Sequence, residues 1–173
     1  MTRLVLLAGR PGSGKTTLAR SLARALGAVH LRVDTVENAL RRLGHDPGPA
    51  GYGVVHDQAA EQLAPGLDVV VDAVHPVLVS RDPWAALAAT HGARATWFEL
   101  AAPSPVEHRR RVETRRPDLP GQVLPTWAEV GAGAWEPWDE ARHGPRTLLQ
   151  ADTPAATLAR ALAVLGVPGV TDH

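Results

Sequence analysis

The eight residues that decide the fold of this chain are Gly9-Arg10-Pro11-Gly12-Ser13-Gly14-Lys15-Thr16. They match the pattern G-x-x-x-x-G-K-[ST] at every specified position. Glycines allow the backbone to curl so that successive N–H groups point inward and hold phosphate oxygens. A short apolar run precedes the loop and a helical pattern follows it, so the positive end of a helix adds to that attraction. The stretch predicts a polyphosphate-binding loop between a first strand and a first helix.

Two side chains of this loop have specific roles. Lys15 would reach the β- and γ-phosphates of a nucleotide, and the Thr16 hydroxyl would bind Mg²⁺. Among the 18 Lys and Arg residues of the chain, Lys15 is the single lysine, which suggests that a compact ammonium is required here. The predicted nucleotide-binding residues are Gly9, Pro11, Gly12, Ser13, Gly14, Lys15, Thr16 and Thr17.

Short apolar runs alternate with helical patterns along the rest of the chain. Strands are predicted over 4–8, 29–33, 67–71, 95–100 and 146–150. Helices are predicted over 16–26, 35–43, 54–63, 80 or 82 to 91, 104–114, a short stretch from 126, and 153–165. Residues 45–53 and 115–125, rich in Gly and Pro, are predicted loops. This alternation favours an α/β fold with a parallel sheet between two layers of helices.

The composition excludes several classes of protein. The 173 residues are 45% hydrophobic and 21% charged, as expected for one globular domain. With 18 acidic and 18 basic side chains the net charge is zero, which argues against a general nucleic-acid coat or an anionic-lipid surface. The absence of cysteine excludes disulfides and thiolate metal sites. No apolar run approaches the roughly 20 residues of a membrane helix, and the N-terminus lacks a secretory signal. We expect a single cytoplasmic domain over 1–173.

The phosphate loop alone does not distinguish a kinase from a GTPase or a motor ATPase. The guanine-reading signature Asn/Thr-Lys-x-Asp requires a second lysine, which the chain lacks. The Gly-Gly-Gln signature of transporter ATPases is also absent, and the chain is too short for the helical lid domain of ring-forming AAA+ proteins. A small-substrate kinase that uses ATP is the class that fits the remaining features.

Three further motifs follow the phosphate loop: Leu-Arg-Val-Asp34, Val-Val-Val-Asp72-Ala-Val-His75 and an Arg-rich helix. With these motifs the sequence resembles the P-loop kinase group that includes polynucleotide kinase, zeta toxin and chloramphenicol phosphotransferase, whose relatives are often labelled AAA family ATPases. The resemblance implies a three-layer α/β/α fold with five parallel strands in the order 2-3-1-4-5. It also implies a lid at about 109–138 and the cofactors ATP and Mg²⁺.

The resemblance assigns roles to two aspartates at strand ends. Asp34 stands where these kinases have an aspartate that orients the acceptor hydroxyl or takes its proton, although it is also placed to cap the next helix. Asp72 follows an apolar strand in the pattern of a Walker B motif and would hold Mg²⁺ opposite Thr16. Relatives often carry an arginine three residues after the first aspartate. Glu37 at this position disfavours a phosphorylated or nucleic-acid acceptor.

Several other side chains are candidates for contact with the substrate or the transferred phosphoryl group. His75 stands near a position where relatives often have asparagine, and a structural role is equally compatible with the sequence. Arg81 is either an anion clamp or a solvated residue at a helix start. The densest basic cluster is Arg109, Arg110, Arg111, Arg115 and Arg116. We expect Arg115 or Arg116, at the junction of helix and loop, to act as the lid arginine that neutralises the transferring group.

Three tryptophans lie close together in a chain with one Phe and one Tyr. Trp127, Trp135 and Trp138 are placed either to form a stacking wall for a substrate, with Trp127 as the binding candidate, or to fasten a helix to the sheet. The predicted function is ATP-dependent transfer of the γ-phosphoryl group to a hydroxyl of a small molecule. The alternatives are a polynucleotide or RNA end kinase, for which the Arg cluster is the candidate groove, and a non-catalytic nucleotide-binding regulator.

Overall fold

The computed structural model describes residues 1–168. Five parallel strands form one sheet in the order β2-β3-β1-β4-β5, which confirms the predicted fold class and strand order. The strands are β1 (Arg3–Ala8), β2 (Val29–Arg32), β3 (Val69–Asp72), β4 (Arg94–Ala101) and β5 (Arg146–Gln150).

The helices lie between these strands and cover both faces of the sheet. Their bounds are α1 (Lys15–Leu26), α2 (Val33–Arg42), α3 (Ala50–Leu63), α4 (Leu78–Arg81), α5 (Pro83–Thr90), α6 (Pro105–Thr114), α7 (Trp127–Ala132), α8 (Glu140–His143) and α9 (Pro154–Leu165). None of the helices within residues 1–168 is long and apolar enough to cross a membrane.

The central strand β1 divides the core into two halves. Leu4 and Leu6 pack on one face with side chains of α3 and α5, whereas Val5 and Leu7 pack on the other with side chains of α1 and α9. Because successive side chains of a strand point to opposite faces, a continuous apolar run is what a doubly covered strand requires. The short runs of Leu and Val in the sequence therefore become the centre of the sheet.

The parallel arrangement brings the carboxyl ends of three neighbouring strands together. Leu7 of β1 pairs with Asp72 of β3, and Asp72 pairs with Arg32 at the end of β2. The glycine loop leaves β1, and Asp34 lies in the first turn of α2, two residues beyond β2. Ligands of open α/β sheets bind outside this edge.

The third helix begins earlier than the sequence predicts. We expected a loop over 45–53, but α3 starts at Ala50 and contains both Gly51 and Gly53. A Cβ atom at Gly51 would lie 2.6 Å from Cγ of Glu37, so α2 and α3 approach each other closely here. Glycine, which lowers helix propensity, is retained at Gly51 because of this contact.

The region predicted as one helix to residue 91 consists of α4 and α5. Asp82, one of the two expected caps, does occupy the N-cap position of α5, with Pro83 in the first turn. Neither side chain makes a capping bond, because the Ser80 hydroxyl donates to the Val77 carbonyl and Asp82 pairs with Arg142 and His143. The short helix α8 was not predicted. By contrast, the predicted capping box of α7, between Thr126 and Glu129, is present in full.

Candidate active site

The glycine loop between β1 and α1 needs its glycines for two physical reasons. Gly9 and Gly12 have φ angles of 139° and 82°, in the region that other residues rarely adopt. A Cβ atom at Gly9 would collide with the Leu100 carbonyl oxygen, and one at Gly12 would lie 2.7 Å from Cγ2 of Val112. The loop is therefore packed against β4 and α6, and within it the N–H groups of Gly9 and Ser13 donate to the carbonyl oxygens of Val74 and Arg10.

Lys15 lies at the start of α1 and is only 8% exposed. Its Nζ donates one hydrogen bond of 3.1 Å, to the Arg10 carbonyl oxygen within the loop. Burial lowers the pKa of Lys15, while the charges of Asp72 and Asp34 act in the opposite direction. The ammonium is thus a desolvated cation with donors to spare, which favours the binding of an anion.

Asp72 and Thr16 provide oxygen ligands of the kind that Mg²⁺ prefers. Asp72 is 3% exposed, and its Oδ2 atom is buried without a hydrogen-bond partner among the described residues. Burial alone would raise the pKa of Asp72, but His30, Lys15, Thr16 and Arg32 hold it below its usual range. The same oxygen lies 3.6 Å from Nε2 of His30 and 3.7 Å from Nε of Arg32. An ionised oxygen that makes no hydrogen bond, beside a threonine hydroxyl, fits a hard cation held with the help of phosphate oxygens. Residues 1–168 contain no cluster of three or more His, Cys, Asp or Glu residues that would bind a metal alone.

A first cavity of about 390 Å³ opens on the helix side of the loop. Of the predicted nucleotide-binding residues, five line this nucleotide cavity, namely Gly12, Gly14, Lys15, Thr16 and Thr17. Its far wall is formed by Arg111 of α6 and by residues 151–154, between β5 and α9. The volume lies within the range of small-molecule and cofactor sites.

A second cavity of about 190 Å³ lies on the strand side of the loop. Pro11, Asp34, Asp72 and residues 122–125 are among the residues that line this cavity, which we call the acceptor cavity after the role proposed for it below. Asp34 is 38% exposed and accepts a hydrogen bond of 3.1 Å from Arg32. Helix α2 has Arg32 at its N-cap and no side-chain cap, so the capping role considered for Asp34 does not occur.

Lys15, Thr16 and Arg115 line both cavities. A group attached to a nucleotide in the first cavity would therefore meet an acceptor in the second beside these three side chains. This shared wall is the geometry that a transfer reaction requires.

The segment between α6 and α7, which is part of the expected lid, is connected to α1 and to the end of β2 by one carboxylate. Asp118 accepts hydrogen bonds of 2.8 and 3.1 Å from Arg32 and one of 2.7 Å from Arg20, and Arg115 lies 3.9 Å from it. Hydrogen bonding by Arg32, followed by that of Arg20, lowers the pKa of Asp118 to about 2. In turn, burial would lower the pKa of Arg32, but Asp118, Asp34 and Asp72 raise it.

Sequence analysis did not identify the roles of Arg32 and Asp118. The only available signal was an arginine within the predicted strand 29–33. Arg32 is 7% exposed in the structure, and arginine is rarely buried without a partner. Asp118 lies in a loop rich in proline, where nothing in the sequence distinguishes it from a solvated turn residue. Their association joins positions 86 residues apart, which depends on the tertiary fold.

The arginines of the basic cluster have different environments. Within α6, Arg109 pairs with Glu113, while Arg110 and Arg111 both pair with Glu107. Arg111 also donates to the Ala151 carbonyl oxygen at 2.9 Å. Arg115 points into the shared wall of the two cavities, whereas Arg116 is exposed and lines none of the three cavities described here.

Trp127 does not lie in the acceptor cavity. Together with Trp135 and Ser13 it lines a third cavity of about 380 Å³, which shares no residue with the other two. The Trp127 ring packs edge-on against His108, whose Nε2 lies 2.8 Å from the Pro11 carbonyl oxygen. Trp127 therefore packs behind the glycine loop and lines a cavity separate from the shared wall.

Gly9 lines none of the three cavities described here, and its N–H donates to the Val74 carbonyl oxygen.

His75 is fully buried and lies in the core rather than in the acceptor cavity. Its ring packs edge-on against Tyr52, Trp84 and Trp97. Burial lowers the pKa of His75 to about 3, so the ring is neutral, and its Nδ1 bonds the Ser80 carbonyl oxygen at 2.9 Å. His75 is therefore a structural residue, which the sequence allowed as an alternative to contact with the substrate.

Arg81 is also buried away from the acceptor cavity. Its guanidinium donates to the backbone carbonyl oxygens of His75, Pro76, Glu136 and Pro137. It also lies over the Trp138 ring, 5.1 Å from the ring centre. Arg81 therefore fastens the segment after α7 to the end of β3, and four of its five N–H donors are taken by backbone oxygens rather than being available to an anionic substrate.

Comparison with known proteins places the chain in a family. A family model described as an AAA domain (AAA_33) matches residues 4–130, and the chain belongs to this family. Shikimate kinase from Corynebacterium efficiens is 32% identical over 134 residues, an alignment that covers 66% of this chain and 79% of the relative.

Solved structures share the fold at lower sequence identity. A sugar kinase from Janibacter sp. is 21% identical with a TM-score of 0.67, and the alignment covers 100% of both chains. Kti12 from Chaetomium thermophilum, solved with ADP-AlF3, is 17% identical with a TM-score of 0.71, and the alignment covers 98% of this chain and 100% of that one. The fold is that of the P-loop kinases, and the kinase relatives support a nucleotide-dependent phosphotransferase.

The position of Arg81 predicts a structural effect of its substitution. Arg81→Lys should lower the free energy of unfolding by about 2–3 kcal/mol, because an ammonium has too few donors for four buried carbonyl oxygens. Urea unfolding measures the effect, with exposed Arg24→Lys as the control. Unchanged stability together with a raised KM for the acceptor would instead support the anion-clamp interpretation.

The lid ion pairs predict a pH-dependent contribution to stability. The pKa of Asp118 is held at about 2 in the folded protein. The ion pairs of Asp118 therefore stabilise the folded state fully when the pH is above the usual pKa of an aspartate, and this stabilisation is lost as the pH falls through about 2. Asp118→Asn should therefore lower the free energy of unfolding by about 1–2 kcal/mol at pH 7. That difference should disappear between about pH 4 and pH 2.

Urea unfolding at a series of pH values measures this difference, and Asp57→Asn, on the exposed side of α3, is the control. A difference that persists unchanged at pH 2 would show that Asp118 does not act through its charge.

Proposed function

We propose that the protein transfers the γ-phosphoryl group of ATP to a hydroxyl group of a small-molecule acceptor. The observation that carries this proposal is the wall formed by Lys15, Thr16 and Arg115, which belongs to both the nucleotide cavity and the acceptor cavity. The kinase relatives, among them shikimate kinase and a sugar kinase, support a small acceptor.

Phosphoryl transfer depends mainly on positioning and on neutralisation of charge. The loop N–H groups and the Lys15 ammonium hold the phosphate oxygens in our proposal, and the lysine gains the anionic partner that its buried site lacks. Thr16 and Asp72 would hold Mg²⁺, which neutralises phosphate charge when bound. The whole arrangement lies at the carboxyl edge of the sheet, where rigid strands fix its geometry.

Asp34 orients the acceptor hydroxyl and receives its proton. Its carboxylate lies in the wall of the acceptor cavity and has one arginine partner, so an oxygen is free for the acceptor. A phosphoryl transfer of this kind needs an oriented hydroxyl more than a strong base, and an ordinary carboxylate is sufficient.

Arg115 stabilises the charge of the transferred group. It stands at the junction of both cavities and lies near Asp118, which holds the lid over the loop. A lid arginine aimed at the transferring phosphoryl contributes electrostatic stabilisation in a partly closed site.

Two features favour a small acceptor over a nucleic-acid end. The acceptor cavity has a volume of only about 190 Å³, and residues 122–125 form part of its wall. Three of the five arginines of the basic cluster are paired with glutamates of α6, so they do not form an open cationic groove.

The roles of Lys15 and Asp34 predict different effects of substitution. Lys15→Ala should abolish both transfer and ATP binding while the fold persists. Asp34→Asn should lower kcat at least about 100-fold, the scale of a lost general base, and leave ATP affinity unchanged. Transfer from radiolabelled ATP and calorimetric ATP titration measure these effects, and Asp57→Asn is the control. Full turnover by Asp34→Asn would contradict the assigned role.

The two candidate lid arginines make a matched pair. Arg115→Ala should lower kcat by about 1,000-fold, as expected for loss of an arginine that stabilises the transferred group. Arg116→Ala should leave kcat nearly unchanged, because its side chain is exposed and outside the cavities. Steady-state kinetics with saturating ATP distinguish them, and equal losses in both variants would contradict the assignment to Arg115.

A further inference from the structure

One face of helix α2 supplies three of the six charged side chains that line the acceptor cavity. Asp34, Glu37 and Arg41 are spaced by three and four residues, so they lie on the same side of the helix, and all three line the cavity. The other charged residues of the lining, Lys15, Arg115 and Asp72, are assigned to the phosphoryl group and the metal in the proposed function.

Glu37 pairs with Arg41, the one cation on this face of α2. Its Oε2 atom accepts a hydrogen bond of 3.1 Å from Arg41, and the glutamate side chain is 20% exposed. The absence of a side chain at Gly51 makes room for it against α3. Burial raises the pKa of Glu37, against the effect of Arg41, so this carboxylate is partly desolvated. Within residues 1–168, the hydrogen bond from Arg41 is the one that its side chain receives.

The other residues that line the cavity add no charge. They are Pro11, Thr16, Ala73, Val74, Gln122, Val123, Leu124 and Pro125. The buried Arg32 is engaged by Asp118 and Asp34 and does not line the cavity. With Lys15, Arg115 and Asp72 assigned to the phosphoryl group and the metal, the charged side chains left to face the acceptor are two carboxylates and one arginine that is already paired, a net negative charge.

We propose that the acceptor is a small polyhydroxylated or amino-bearing molecule without an anionic group, held by hydrogen bonds donated to Glu37 and Asp34. This inference rests on the proposed function and adds the chemical class of its substrate. A hydroxyl or ammonium group supplies the donors that half-buried carboxylates need. A carboxylate or phosphate on the acceptor would instead be desolvated beside two like charges, which opposes binding.

The size of the cavity limits the acceptor further. A volume of about 190 Å³ lies below the range of roughly 300–1,000 Å³ that is typical of sites for drug-sized ligands. A single sugar alcohol or amino sugar is of suitable size, whereas an oligosaccharide or a nucleotide is too large.

The charge of the acceptor is testable without knowing its identity. A deproteinised bacterial metabolite extract is separated at neutral pH on a strong anion exchanger. The unretained and retained fractions are then incubated with the protein and radiolabelled ATP. We expect labelled product from the unretained fraction, which contains the neutral and cationic metabolites. Labelled product from the retained fraction alone would overturn the inference and leave the kinase assignment intact. No product from either fraction, although calorimetry shows ATP binding, would contradict the proposed function itself.

A pair of matched variants tests whether Glu37 makes the contact. Glu37→Gln should raise KM for the acceptor of the unretained fraction by about tenfold or more, the scale of a lost hydrogen bond to a charged group, and leave KM for ATP unchanged. Glu113→Gln breaks an ion pair of the same spacing with Arg109 on α6 and should change neither constant. Equal acceptor KM values in the Glu37→Gln variant and the unsubstituted protein would overturn the inference, as would a parallel rise in KM for ATP.

Discussion

The rest of the site depends on one buried cation. Lys15 is enclosed by the glycine loop, donates to a single backbone oxygen, and lies near the carboxylates of Asp72 and Asp34. A desolvated ammonium with unused donors is unfavourable unless an anion completes its environment. The polyphosphate of a nucleotide meets this requirement, and the loop geometry that buries Lys15 also directs backbone N–H groups to the same place.

The lid is connected to this cation through a chain of alternating charges. Arg32, buried at the end of β2, contacts Asp34, lies near Asp72 and donates to Asp118. Asp118 in turn brings the segment that carries Arg115 over the loop. A single arginine thus links the proposed acceptor-orienting residue, the proposed metal ligand and the lid. Networks of this kind hold a geometry that an isolated surface ion pair would not hold.

The sequence predicts most of the fold because its signals are local. The run of β1, the glycines of the loop and the capping box at Thr126 each determine a structure within a few residues, and the strand order follows from the kinase resemblance. The environments of Arg81, His75 and Trp127 depend instead on segments distant in the chain, and the pattern around each is compatible with both exposure and burial. The same reason explains why the contacts of Arg32 and Asp118 were not predicted.

The single lysine of the chain provides the most direct test of the account. Protein labelled with ¹³C and ¹⁵N in lysine gives a single side-chain ¹⁵Nζ signal, which must come from Lys15, and a pH titration of that signal reports its pKa without ambiguity. The account predicts a pKa below the usual range in the free protein and a rise of that pKa when ATP binds, because the phosphates replace the lost solvation. A lysine that titrates in its usual range and does not respond to ATP would contradict the account.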